Sequence, residues 1–237
     1  MSAFDGQLAV VTGGSRGIGF ATATMLARGG ATVVLVARGL PALESAVTSL
    51  GPRAFAIPCD VSDRRAVERA INVICATHGT PAVLINNAGV FRIAPIEQTS
   101  ADDFAAALQV NLLAPFLFIR GFLPAMRSQR SGHVVTIGSV ADRSVYTENA
   151  AYSASKFGAR AMHEVLRAEL KGSGVRATLV SPGAVDTKLW DNLDPDNRPG
   201  FTPRREMLSP DAVAQAVEFA LSRPTEVNVD ELRLSRS

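Results

Sequence analysis

Leu8-Ala9-Val10-Val11-Thr12-Gly13-Gly14-Ser15-Arg16-Gly17-Ile18-Gly19 is the stretch on which the fold of this 237-residue chain turns. Its first five residues form a short apolar and β-branched run, the pattern of a strand buried on both faces. Gly13, Gly17 and Gly19 then make a tight turn and open a helix, where free N–H groups and the helix dipole favour a pyrophosphate. The spacing Gly-x-x-x-Gly-x-Gly differs from the commoner Gly-x-Gly-x-x-Gly, so taken alone it also suits a glycine turn demanded by close strand–helix packing. Its position in the first strand–helix unit favours the nucleotide-binding reading.

The same alternation continues outward. Strands are predicted near Leu8–Thr12, Thr32–Ala37, Ala54–Pro58, Val83–Asn86, His133–Gly138, Arg176–Ser181 and Val227–Leu234. Amphipathic helices are predicted near Gly17–Arg28, Leu40–Leu50, Asp63–Thr77, Ala101–Arg127, Ala150–Lys171 and Pro210–Ser222. Strand–helix–strand units of this kind feed a parallel sheet covered on both faces, an α/β architecture with seven strands. Ser62 and Ser209 are placed to cap the helices that follow them. Residues 186–207 break the rhythm: the segment is rich in Pro, Asp, Asn and Arg, carries the only tryptophan, Trp190, and reads as an active-site lid.

With 47% hydrophobic residues, no Pro/Ser-rich linker and no internal repeat, residues 1–237 are expected to build one domain. The net charge of +2 comes from 24 basic and 22 acidic side chains mixed along the chain, which favours neither nucleic acid nor a membrane surface as partner. Cys59 and Cys75 lack CxxC spacing, and Met1-Ser2-Ala3-Phe4-Asp5-Gly6 has no basic-then-apolar signal pattern, so a reduced, cytoplasmic protein is expected. The longest apolar run, Leu112–Leu123, is interrupted by Pro115, Arg120 and Gly121 and reads as a buried or interfacial helix rather than a bilayer span of ~20 residues. His78, His133 and His163 lie apart without metal spacing and read as structural or solvated; no metal is implied.

Four further features carry chemistry. The second strand ends Val36-Ala37-Arg38, without the acidic residue that grips the ribose hydroxyls of NAD. Arg38 can instead pair with a 2′-phosphate, with Arg16 as a second cation, unless both are ordinary surface arginines. Asp60-Val61 after the third strand can meet an adenine edge, and Asp60 equally suits the opening of a turn. Asn87-Ala88-Gly89 after the fourth lets backbone approach the adenosine ribose. Finally, Tyr152 and Lys156 stand one helical turn apart, where a fixed cation can stabilise a phenolate and lower a pKa that is ordinarily about 10. An amphipathic helix with one buried aromatic would read the same.

Taken in order, Thr12–Gly19, Asn86–Gly89, Asn111, Ser139, Tyr152/Lys156 and Pro182-Gly183 with Thr187 resemble the short-chain dehydrogenase/reductase family in its ordinary single-domain form, over nearly the whole chain. The resemblance implies a doubly wound Rossmann sheet of seven parallel strands and NADP(H) as cofactor. Its implied contacts are Gly13, Ser15, Arg16, Gly17, Ile18 and Gly19, then Arg38, Asp60 and Val61, then Asn87, Ala88 and Gly89. Pro182, Gly183, Val185 and Thr187 would meet the nicotinamide end together with Tyr152 and Lys156. Tyr152 would act as general acid/base and Ser139 would hold the carbonyl oxygen. Lys156 would bond the nicotinamide ribose and lower the Tyr152 pKa, and Asn111 would hold a relay water through its local backbone. Tyr146 and Trp190 are candidate substrate contacts. A homodimer or homotetramer is implied, commonly joined through the helices at Ala101–Arg127 and Ala150–Lys171. Phe116, Leu117 and Phe118 suit that interface, or else face the sheet.

The activity so implied is interconversion of a ketone or aldehyde and an alcohol by hydride transfer to a small-molecule substrate. A 3-oxoacyl-[acyl-carrier-protein] reductase is the runner-up, since Lys188, Arg198, Arg204 and Arg205 could meet an acidic carrier. The C-terminal stretch Glu226–Leu234 lacks the Asp-Gly-Gly ending usual there, and looks closer to the branch acting on 3-hydroxy acids and small polar alcohols. A non-catalytic NADP(H) sensor is the alternative of a different class.

Overall fold

The computed structural model describes residues 3–237; Met1 and Ser2, the first two residues read for a signal pattern, lie outside that range. Strands β1 (Leu8–Thr12), β2 (Thr32–Ala37), β3 (Ala54–Pro58), β4 (Val83–Asn86), β5 (Gly132–Ile137), β6 (Val175–Pro182) and β7 (Glu231–Leu234) form one sheet. All pairings are parallel and the order is β3-β2-β1-β4-β5-β6-β7. Helices α1 (Gly17–Arg28), α2 (Leu40–Leu50), α3 (Arg64–His78), α4 (Ala101–Leu108), α5 (Ala114–Gln129), α6 (Ala150–Glu169) and α7 (Pro210–Leu221) cover both faces. The order reverses between β1 and β4, which opens a crevice at the carboxyl ends of the strands where such sheets bind ligands.

Register explains the two cores. Val10 pairs with Val34 and Leu84, and Leu84 with Val134; all four face the side that also buries Ile74, Phe118 and Phe122. One residue on, Val11 pairs with Leu35 and Ile85, and Ile85 with Val135, all facing Leu26, Leu43 and Val213. The period of two therefore sends neighbouring apolar residues to opposite faces, and both are needed. Each fully buried Leu, Ile or Phe contributes about 1.5–3 kcal/mol relative to exposure.

Four local expectations change. The single helix expected at Ala101–Arg127 is α4, a π-helical turn Gln109–Leu113, and α5. Pro115 carries no N–H, so the Asn111 carbonyl lacks its i+4 donor and the ladder shifts by one residue there. The helical run Ala101–Gln129 is by length and composition apolar enough to cross a membrane, unlike the shorter span read from sequence. Half of its most apolar window is buried inside the protein, as in a core helix. Of the three residues singled out in it, Leu117 and Phe118 are buried in the core and Phe116 is exposed.

The cap of α3 is Asp63, whose carboxylate accepts from Arg65 N at 2.8 Å; Ser62 instead donates to Asp60. Ser209 caps α7 as expected, accepting from Ala212 N at 3.1 Å. The last strand is shorter than Val227–Leu234 because the Asn228 side chain takes both backbone bonds of Ala177, at 2.9 and 3.0 Å, in place of a strand partner.

Candidate active site

One cavity of about 740 Å³ runs along the carboxyl ends of the strands. At its first end the glycine turn is shaped by close contacts: Gly13 and Gly17 have φ of +64° and +55°, and a Cβ on Gly19 would lie 2.4 Å from the Gly13 carbonyl oxygen. Ser15, Arg16, Gly17 and Ile18 line the wall with Gly13, whereas Gly19 lies beneath it and permits the packing of α1 on the turn. Arg16 stands at the N-cap of α1 without a capping side-chain bond, and the first turn holds no acidic residue. The helix thus leaves its first N–H groups and dipole without an internal anion, which fits a phosphate-bearing nucleotide.

Asn87 has a role that sequence did not reveal. Its Nδ2 donates to the Thr12 and Gly13 carbonyls at 2.9 and 3.2 Å, while Thr12 Oγ1 accepts from the backbone N–H of Asn87 and Ala88. The loop after β4 therefore braces the glycine turn, and Asn87, Ala88 and Gly89 all line the cavity. Arg38, exposed at the end of β2, lies 3.9 Å from Asp60. Asp60 accepts from the N–H and Oγ of Ser62 at 3.0 and 2.7 Å, the turn-opening geometry. Partial burial pushes its carboxyl up, but the Ser62 bonds and the Arg38 charge outweigh that and hold it below the ordinary value. Arg16, Arg38, Asp60 and Val61 share this end of the cavity.

The middle of the cavity is built by β5 and α6. Ser139 caps the short 3-10 turn Val140–Asp142, its Oγ accepting from Ala141 N at 3.1 Å, which leaves the hydroxyl proton for another acceptor. Tyr152 and Lys156 lie one turn apart on α6, and both line the same wall as Ser139. The net direction for the Tyr152 phenol in this arrangement is upward, with burial the largest cause. Lys156 Nζ donates to the Ile137 carbonyl at 2.9 Å and stands 5.7 Å from the Tyr152 ring centroid. Burial pushes the phenol above its usual value, a hydrogen bond with Ser139 offsets part of this, and the Asp142 charge raises it further. Burial pulls the Lys156 ammonium down to about 8, against the opposing Asp142 charge.

Asn111 lies behind the cavity rather than on its wall. Its side chain is saturated: Oδ1 accepts from Val90 N at 2.8 Å, and Nδ2 donates to Val90 O at 3.0 Å and Ser155 Oγ at 2.9 Å. It clamps the loop after β4 to α6. Asp142, which sequence reasoning missed, is fully buried. Its carboxylate accepts from Ser181 Oγ at 2.5 Å, from Arg143 Nε at 2.8 Å and from Ser139 N at 3.4 Å, and Arg143 pairs onward with Glu231 of β7. The capping-box spacing Ser139-x-x-Asp142 was the available signal.

The far end is formed by the segment after β6. Pro182, Gly183, Val185 and Thr187 line the cavity, and a Cβ on Gly17 would lie 3.1 Å from Thr187 Cγ2, so this segment meets the glycine turn. Residues 186–207 contain two short 3-10 helices, Lys188–Leu193 and Arg204–Glu206. Arg204 ties them together through Asp186 at 2.6 Å and Asp191 at 2.7 Å. Trp190 and the exposed Tyr146 both line this end, joined by Phe91 and Phe201, which sequence reading had not singled out. His133 and His163 are buried structural residues, bonded to Thr178 at 2.8 Å and Thr136 at 3.1 Å. Among the described residues no cluster of three or more His, Cys, Asp or Glu is arranged to hold a metal.

Comparison with known proteins agrees with this architecture. Residues 7–198 match the model of the short chain dehydrogenase family. An uncharacterized oxidoreductase of Staphylococcus saprophyticus is 36% identical over 230 residues, covering 95% of this chain and 94% of the relative. The crystal structure of a metagenomic short-chain oxidoreductase in complex with NADP superposes with a TM-score of 0.86 at 33% identity, covering 100% of this chain and 99% of that one. An alcohol dehydrogenase from the archaeon Thermococcus sibiricus, complexed with 5-hydroxy-NADP, gives 0.86 at 32% identity, covering 96% and 95%. The chain belongs to the short-chain dehydrogenase family of oxidoreductases.

Proposed function

We propose that the protein is an NADP(H)-dependent carbonyl reductase or alcohol dehydrogenase acting on a ketone/alcohol pair. The reading rests on one observation above all: Ser139, Tyr152 and Lys156 share a wall of the cavity that also contains the glycine turn, Arg16 and Arg38. The N–H groups at the start of α1 would receive the pyrophosphate, Arg16 and Arg38 the 2′-phosphate, and Val185 and Thr187 the carboxamide. When bound, the reduced nicotinamide supplies a hydride to the carbonyl carbon. Structures of relatives holding NADP and 5-hydroxy-NADP support this choice of dinucleotide.

The side chains would supply the proton and the charge stabilisation. Ser139 would turn its O–H from Tyr152 to the carbonyl oxygen, and Tyr152 delivers its proton to that oxygen as negative charge develops there. A phenol raised by burial enters neutral and ready to donate, which suits reduction near neutral pH. The Lys156 ammonium holds the ribose hydroxyls and, together with a water on the Asn111 carbonyl, returns a proton from solvent to Tyr152.

Two rivals have less support. Of the four basic residues that might greet an acidic carrier, three are paired within the chain, Arg198 with Glu148, Arg204 with Asp186 and Asp191, and Arg205 with Glu206, which leaves Lys188. A non-catalytic sensor has no need of Ser139, Tyr152 and Lys156 together. We also assign a homo-oligomer, because Phe104, Phe116, Phe157 and Val165 are exposed apolar side chains on α4, α5 and α6. Unpaired Cys59 and Cys75 accord with a cytoplasmic setting. Following NADPH absorbance with β-keto esters, diketones, sugars and acyl thioesters tests the activity. Consumption with a carbonyl substrate supports it; tight NADPH binding without consumption on any of them favours the sensor.

A further inference from the structure

Beyond the dinucleotide end, the cavity meets a chain of aromatic rings that begins at the phenol. Phe91 packs edge-on against Tyr152 with centroids 4.7 Å apart, and edge-on against Trp190 at 5.1 Å. Trp190 in turn meets Phe201 edge-on at 6.3 Å. The indole N–H is spent on the Val185 carbonyl at 3.0 Å, so the ring offers carbon surface and no donor to the cavity. Arg198 lies over Phe201, 4.7 Å from its centroid, and its guanidinium is paired with Glu148 at 2.9 Å. Arg204 is likewise held by two aspartates. The arginines around this wall are therefore matched, and exposed Lys188, in the same segment, is the basic residue there with no ion-pair partner among the described residues.

We propose that the rings of Phe91, Trp190 and Phe201 select carbonyl compounds that carry an aryl or similarly flat apolar group beside the reacting carbon, against small polar or anionic ketones. The proposal rests on the carbonyl-reductase reading and narrows it. An aryl group placed there exchanges water for edge and face contacts with three rings. A carboxylate packed among the three rings would lose hydration with no cation between them, the unpaired Lys188 of the cavity lining being exposed to solvent. The 3-hydroxy-acid preference suggested by the C-terminal sequence would have only the exposed Lys188 to meet its carboxylate at this end.

The test uses the full chain with NADPH and three methyl ketones: acetophenone, butan-2-one and acetoacetate. The expected kcat/KM is highest for acetophenone, by about tenfold or more over the other two. In Trp190→Ala the acetophenone to butan-2-one ratio should fall about tenfold, and Trp190→Phe should restore most of it. Because Trp190 is the only tryptophan, its fluorescence gives a readout that needs no turnover: 1-phenylethanol should quench or shift it, and lactate should not. Butan-2-one or acetoacetate turned over as well as acetophenone, with a Trp190→Ala ratio unchanged, overturns the proposal. Phenylethanol binding without NADPH consumption on any ketone overturns the reductase reading while leaving the aryl site in place.

Discussion

Acidification from pH 7.5 to 5.0 should cost the folded protein about 4 kcal/mol, through two histidines that staple β5, β6 and α6 together. His163 on α6 bonds Thr136 on β5 through Nδ1, and His133 on β5 bonds Thr178 on β6 through Nε2. Each ring is almost wholly buried, and the other nitrogen, Nε2 of His163 and Nδ1 of His133, has no partner. A proton added there creates a buried N–H with nothing to receive it. Burial accordingly pulls His133 down to about 3 and His163 to about 4, with nearby positive groups adding to the effect.

The unfolded chain titrates near 6.5, so between that value and the folded ones it binds more protons, and stability falls as pH falls. The contribution is fully present above about 6.5 and is lost progressively down to the folded pKa values. At pH 5.0 each histidine accounts for about 2 kcal/mol. Urea unfolding at fixed protein concentration, followed by far-UV circular dichroism at both pH values, measures the difference. His163→Gln, which keeps an amide near Thr136 but cannot titrate, should show about half the drop. A wild-type difference under about 1 kcal/mol, or the same drop in His163→Gln, would refute the reasoning.

The other predictions concern the cofactor end, the buried carboxylate and the lid. Arg38→Asp should weaken NADPH binding tenfold or more while leaving NADH binding less affected, measured by fluorescence titration; equal affinities for the two cofactors in the parent protein contradict the assignment. Asp142→Ala should cost about 3–5 kcal/mol in denaturant unfolding, because it strips a buried partner from Arg143 and the bond from Ser181. A cost under about 1 kcal/mol would show that the network adds nothing. Limited proteolysis should cut first within residues 186–207, faster in Arg204→Ala, which loses the ties to Asp186 and Asp191, and NADPH should slow both. Uniform resistance of that segment without ligand would count against a lid.

Sequence made the sheet legible because its signals are local. Runs such as Val33-Val34-Leu35-Val36 are apolar on both faces, and glycine at 13 and 17 answers a positive φ that the chain itself dictates. The one-turn spacing of Tyr152 and Lys156 on α6 was equally local. What escaped depends on partners far along the chain. Asn87 braces Thr12 and Gly13 across more than seventy residues, and Asp142 meets Ser181 across thirty-nine. Lys156 turns its head to Ile137 on another element, a choice that no helical spacing reveals. Pro115 was visible, yet its effect on the carbonyl of Asn111 appears only once the π turn is placed. The aromatic wall likewise joins Phe91, after β4, to Trp190 and Phe201, after β6.

The most direct measurement is carbonyl-dependent NADPH oxidation by the wild type and Tyr152→Phe, with NADPH affinity determined alongside. If Tyr152 gives the proton, the phenylalanine variant loses turnover by at least about a hundredfold while binding NADPH within a few-fold of the wild type. Turnover retained in that variant, at unchanged affinity, would contradict the assignment of the phenol as the proton donor.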